Sequence, residues 1–174
     1  MRRQELQALQ SPLKARYRED AGAAVVTLRA DADLDATEVA CSVQTGRALV
    51  DAGLHPASGG DGSLACSGDM LLQALVACAG VTLRSVAVNR DISLGEGRIT
   101  AEGDLDFRGT MGVDREAPVG FRAIRLRFEL DPELSSEDLE TLMTLTERYC
   151  VVYQTLAGGV PVTIGNAPGP AEAT

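Results

Sequence analysis

Thiols are the side chains in this sequence best placed to do chemistry, and there are four of them: Cys41, Cys66, Cys78 and Cys150. A cysteine reacts as its thiolate, so each is weighed by what could depress its pKa and what could leave it inert. Cys41 alternates with Val39 and Val43 on the apolar side of a period-two stretch and reads as a small buried apolar residue. Cys66 stands where a glycine-rich loop hands over to a helix. Backbone N–H groups there could lower its pKa, although plain burial accounts for it as well. Cys78 shares one helical row with Leu71, Ala74, Leu75, Thr82 and Ser85. Burial alone would raise its pKa, and the helix dipole is distant from mid-helix, so on the residues alone it packs unless a cationic partner arrives from elsewhere. Cys150 follows Arg148 and Tyr149 at the end of a helical pattern, a better setting for a reactive thiol.

These thiols are carried by elements whose patterns are legible. Leu6, Leu9 and Leu13 among charges predict a short amphipathic helix from Arg2 to about Ala15, before Tyr17. Strands are expected at Ala23 to Ala30 and from Glu38 to Gln44, with a turn at Thr45, Gly46 and Arg47 and a third strand at Ala48 to Val50. The loop from His55 to Gly62, HPASGGDG, offers positive φ at each glycine. Ser67 is the expected N-cap of the next helix, with Asp69 in its first turn. That helix, MLLQALVACAGVTLRSVAV, is apolar on nearly every side and must be surrounded by protein. Two one-sided strands follow, one with Ile99, Ala101, Leu105 and Phe107 inward, the other with Ile124, Leu126, Phe128 and Leu130. Ser135 and Asp138 spell a capping box for a second helix running to Tyr149. CVVYQTLAGG adds a further helical turn or two closed by Gly158 and Gly159, and VPVTI is expected to be a last strand.

The 174 residues suit one domain with a real core, divided as an N-terminal helical arm at 1–16, a single domain at 17–165 and a tail at 166–174. No apolar run is expected to reach the length of a bilayer, and the N-terminus lacks the apolar stretch of a secretory signal, which implies the cytoplasm and no membrane. A net charge of −9 would repel phosphate backbones, so no nucleic-acid partner is expected. Four cysteines without an export signal are too sparse for a disulfide framework and should rest as thiols. With one histidine, His55, and no Cys-x-x-Cys pair, neither a metal nor another cofactor is expected. No Lys-Ser or Lys-Thr follows GGDG, so that loop matches no nucleotide fingerprint.

Two local spellings carry a resemblance. GGDGSLACSGDMLLQALVACAGVTL resembles the signature of the osmotically induced protein C and organic hydroperoxide resistance family: a glycine loop, a Leu- and Ala-rich helix, then a cysteine. ERYCVVYQTL is similar to the family's second cysteine motif, and the order of elements fits from Tyr17 to Ile164. The resemblance implies an α+β fold with an antiparallel sheet wrapped around a central buried helix. It also implies an intertwined homodimer with active sites at the subunit interface. In peroxidase members the first cysteine, here Cys78, attacks the peroxide as thiolate and becomes a sulfenic acid; the second, here Cys150, condenses with it to a disulfide. A dithiol, lipoyl groups in some members, then restores both thiols. The apolar residues Leu71, Leu75 and Val81 near Cys78 would suit organic hydroperoxides. Peroxidase members also use a glutamate near the start of the central helix to hold an arginine against the thiol. Gly68 and Asp69 stand there in this sequence, with Asp69 nine residues before Cys78 and so on the opposite helix face. Arg18 lies in the region that supplies the family arginine, and Arg16 is equally near. Val151 follows Cys150 where the family usually has proline. The expected function is a thiol-dependent peroxidase in oxidative stress defence using Cys78 and Cys150, with Arg18 and Asp69 as candidate activating residues. The alternative is a catalytically inactive dimer that binds a small apolar ligand.

Overall fold

A computed structural model of the chain describes residues 3–34, 41–43, 52–131 and 133–165. In chain order, α1 (Arg3–Glu19) leads through a 3-10 turn into β1 (Val25–Leu34) and β2 (Cys41–Val43). The short β3 (Ala52–Gly53) and β4 (Ala65–Cys66) flank the glycine loop and precede the long α2 (Ser67–Arg90). Then come β5 (Arg98–Asp106), α3 (Phe107–Thr110), β6 (Phe121–Glu129), α4 (Ser136–Tyr149) and α5 (Val151–Gly158).

Four strands form one antiparallel sheet in the order β2-β1-β5-β6, while β3 and β4 pair in parallel. Alternation sorts the faces of the main sheet. Ile99 and Ala101 are fully buried against α2, and Ile124, Leu126 and Phe128 pack on the same core. The polar groups of neighbouring strands meet in an outer ladder. Arg125 donates twice to Asp104, at 2.6 and 2.9 Å, and Thr27 donates to the same carboxylate at 2.7 Å. These bonds, Arg125 foremost, hold the Asp104 carboxyl well below the usual carboxylate range. Such exposed pairs fix register more than they add stability. Between Asp104 and Leu105 the β5–β6 register shifts, so that Asp104 faces Ala123 and Leu105 faces Phe121, a bulge at Arg122.

α2 lies across β1 and β5 and is flanked by α4 and α5. Its buried residues Leu72, Leu75, Val76, Ala79, Leu83, Val86 and Ala87 recur at three and four, one stripe facing the sheet and α4. The helix is not covered all round within one chain, since Val81 and Val88 are 43% and 65% exposed. By length and composition α2 is also apolar enough to cross a membrane, which corrects the expectation that no run is; half of its most apolar stretch is buried in the protein.

Other expectations changed at their edges. α1 runs on to Glu19, past the expected helix end near Ala15, because Tyr17 is 3% exposed among Ala24, Phe107 and Met111 and donates to the Ala57 carbonyl at 2.7 Å. The first strand starts at Val25 and extends to Leu34. In the loop, Gly59 and Gly62 take positive φ but Gly60 does not; it is needed because a Cβ there would fall on the Leu54 carbonyl oxygen. The N-cap of α2 is Cys66, not Ser67, and makes no side-chain capping bond; Ser67 is already helical. Ser135 caps α4 as expected, accepting from the Asp138 N–H at 3.1 Å. VPVTI forms no strand: among the described residues it pairs with no sheet edge, and Val160, Val162 and Ile164 are exposed. A period-two apolar pattern sets which side chains share a face, whereas a strand also needs a neighbour for its backbone groups. The expected turn at 45–47, the strand at 48–50, residues 38–40 and 44 of the second strand, and the tail lie outside the described residues.

Candidate active site

The centre of interest is the point where the middle of α2 meets the elbow between α4 and α5. Cys150 belongs to both helices. Its N–H donates to the Thr146 carbonyl at 2.9 Å, closing α4, and its own carbonyl accepts from the Gln154 N–H at 2.9 Å, opening α5. With φ −71° and ψ 106° it is extended, so the chain changes direction there and the first amides of α5 are left without helical partners. They are turned toward Cys78, the partly buried thiol one turn before Thr82.

Burial by itself would push the Cys78 thiol up. The Val152 N–H, the Cys150 thiol, the Val151 N–H and the Thr82 hydroxyl outweigh it, and Cys78 lies below its ordinary value. Cys150 behaves oppositely: burial first, and then its contact with Cys78, push it up to about 11 despite help from the Tyr153 and Val152 amides. The pair is therefore asymmetric. Cys78 ionises first, and Cys150, 1% exposed, stays protonated and donates its S–H to the thiolate. That is the arrangement needed for a nucleophile with a second thiol in waiting. Thr82 also lines a cavity of about 420 Å³ between α2 and α4, walled by Val81, Val86 and Leu145 and edged by Asn89 and Arg90.

The other two proposed site residues are not among the groups acting on this pair. Asp69 is in the first turn of α2, nine residues before Cys78, or about 13 Å along the axis. Burial pushes its carboxyl up, with His55 pulling the other way. Arg18 is exposed in the last turn of α1, and no arginine is among the described groups acting on Cys78. Cys66 is partly buried at the start of α2; Cys41 pairs with Leu34 through the backbone of β2. The residues alone favoured Cys150 over Cys78 as the reactive thiol, because the partner expected from outside the helix of Cys78 was a cationic side chain, and none could be assigned. The missing contribution is the N-terminus of α5. Its signal was the helical spelling directly after Cys150, which places a ring of free amides one residue from the second cysteine.

A family model for OsmC-like proteins matches residues 60–165, which include α2 with Cys78 and the Cys150 elbow. No curated protein matches the chain. The match covers more than half of the sequence, and the chain belongs to the OsmC-like protein family.

Proposed function

We propose that this protein is a thiol peroxidase in which Cys78 reduces an organic hydroperoxide or hydrogen peroxide and Cys150 resolves the product. The observation that carries this reading is the contact of the two thiols at the α5 N-terminus, with Cys78 lowered and Cys150 raised. The Cys78 thiolate attacks the distal peroxide oxygen, the O–O bond breaks, and the leaving alkoxide takes a proton to become an alcohol. The Cys150 thiol, giving up its proton as it attacks, then displaces hydroxide from the resulting sulfenic acid, so that the disulfide forms and water is released. A dithiol, such as a lipoyl group, reduces that disulfide.

Family membership supports a role in stress defence, and the apolar walls beside Thr82 suit an organic peroxide. A homodimer is part of the proposal: Val81 and Val88 on α2 and the exposed Val160, Val162 and Ile164 form apolar surface that a second copy would cover. We place it in the cytoplasm, where its cysteines would be kept reduced between turnovers. The absence of the family glutamate, with Gly68 and Asp69 standing in its place, favours the second reading, an inactive dimer that binds a small apolar ligand. Peroxide consumption separates the two. Reduced protein with dithiothreitol should consume cumene hydroperoxide, and Cys78→Ser should abolish this. Equal inertness of wild type and variant would leave the ligand-binding reading in its place.

A further inference from the structure

A second cavity, of about 260 Å³, touches Cys150 on the side of β6 and α4. Leu126, Phe128 and Met143 form its apolar walls, and Glu147 and Tyr153, joined by a 3.2 Å hydrogen bond from the Tyr153 hydroxyl, stand beside it. Cys78 is not among its lining residues. One polar group in it is unexplained. Thr146 is 2% exposed, lines the cavity, and its hydroxyl has no partner among the described residues. A buried hydroxyl is ordinarily hydrogen-bonded, so an unpartnered one on a residue that lines a cavity marks where a ligand's polar atom, once seated, would complete it. Thr146 precedes Cys150 by four residues, which puts both side chains on one face of the helix end.

We infer that this cavity receives the reducing dithiol, that the incoming thiolate is held by the Thr146 hydroxyl, and that it attacks Cys150 rather than Cys78. The inference rests on the reading that the two cysteines cycle through a disulfide, and it assigns the direction of that disulfide's reduction. One thiolate of the dithiol bonds to the Cys150 sulfur; the S–S bond breaks and Cys78 leaves with the electron pair as thiolate. The second thiol of the reductant, deprotonated, attacks the reductant's own sulfur in the mixed disulfide. Cys150 departs and takes up a proton, and the reductant leaves as a disulfide. The better leaving thiol is the one of lower pKa. Cys78, met by the Val151 and Val152 amides, is that thiol. Cys150, at 1% exposure, forms the cavity floor, so the reductant must fill the cavity to reach it.

The test makes the disulfide without peroxide, so that it stands apart from peroxidase activity. The full-length protein is oxidised with diamide, treated briefly with cysteamine, quenched with N-ethylmaleimide and mapped by mass spectrometry. Cysteamine on Cys150 with the maleimide on Cys78 is expected; cysteamine on Cys78 overturns the inference. Diamide failing to join the two cysteines removes the disulfide reading and this inference with it, whereas inertness toward peroxide with cysteamine still landing on Cys150 removes the peroxidase activity alone. Thr146→Val should slow reduction by cysteamine about fivefold, the loss of one hydrogen bond, while its thermal midpoint holds or rises. Thr146→Ser should restore the rate. A purely structural hydroxyl would leave the rate of Thr146→Val unchanged, and that result overturns the role given to Thr146.

Discussion

Replacing Thr82 with valine removes one donor from the Cys78 thiolate and keeps the shape of the side chain. A hydrogen bond to a charged group contributes about 1.5–3 kcal/mol, and the lower end applies because Cys78 and Thr82 are only partly buried. At about 1.4 kcal/mol per unit, the Cys78 pKa should rise by about one unit. Below that pKa the thiolate fraction falls about tenfold. A more basic thiolate is also a better nucleophile, with a Brønsted slope of about 0.45, which returns about threefold. The net expectation is an alkylation rate about three to four times slower in Thr82→Val at low pH and about three times faster on the high-pH plateau. The two profiles should therefore cross, and Thr82→Ser should follow the wild type. The assay is the pH dependence of iodoacetamide reaction at Cys78, followed by peptide mapping. Superimposable wild-type and Thr82→Val profiles would refute the donor role of Thr82; profiles displaced in parallel would point to changed access instead.

In Cys150→Ser without reductant, about one equivalent of peroxide per chain should leave a dimedone-reactive sulfenic acid on Cys78, because no second thiol remains to resolve it, whereas the wild type should form the disulfide; the same sulfenic acid persisting in the wild type would show that Cys150 is not the resolving thiol. Asp106, 1% exposed, accepts from Arg108 Nη2 at 2.7 Å and has its carboxyl lowered chiefly by that arginine. A carboxyl lowered in the fold stabilises above its ordinary value and loses that stabilisation as the pH drops through its folded value. Asp106→Asn should accordingly cost about 2 kcal/mol in urea unfolding at pH 7 and progressively less toward pH 3, Arg108 being too exposed for the full cost of breaking a buried pair. Adding a methyl at Gly103, where a Cβ would run into the Phe121 ring, should cost about 1–3 kcal/mol by the same measurement; an unchanged urea midpoint for Gly103→Ala would show that the Phe121 ring can move aside.

Local patterns carried most of the fold. The helical run of α2, the alternation in β5 and β6 and the cap at Ser135 are properties of neighbouring residues, and each appears where the local pattern put it, although α2 buries one stripe rather than its whole circumference. What failed or was incomplete depended on partners distant in sequence. VPVTI has a strand's pattern but no paired edge in the described chain, and the end of α1 was set by the burial of Tyr17 rather than by leucine spacing. The site divides in the same way. Both cysteines were visible as residues, and the family spelling joined them. The contact that makes Cys78 the more acidic thiol belongs to backbone amides of Val151 and Val152, which have no signature in side-chain identity. Thr82 was visible in the Cys78 row without a role, because its role exists only relative to a thiolate.

Cys150 sits at an elbow, and the middle of α2 is roughly seventy residues earlier in the chain. A bond between them would close a ring that holds β5, β6 and α4, and cross-linking a loop of that length removes about 4 kcal/mol of chain entropy from the unfolded state. Oxidation would thus stabilise the same fold that it inactivates for peroxide, and each reduction would restore the freedom of the unfolded chain and lower the stability again. Thermal melts with and without dithiothreitol would read that difference directly, and they would make the redox history of a sample visible in its unfolding temperature.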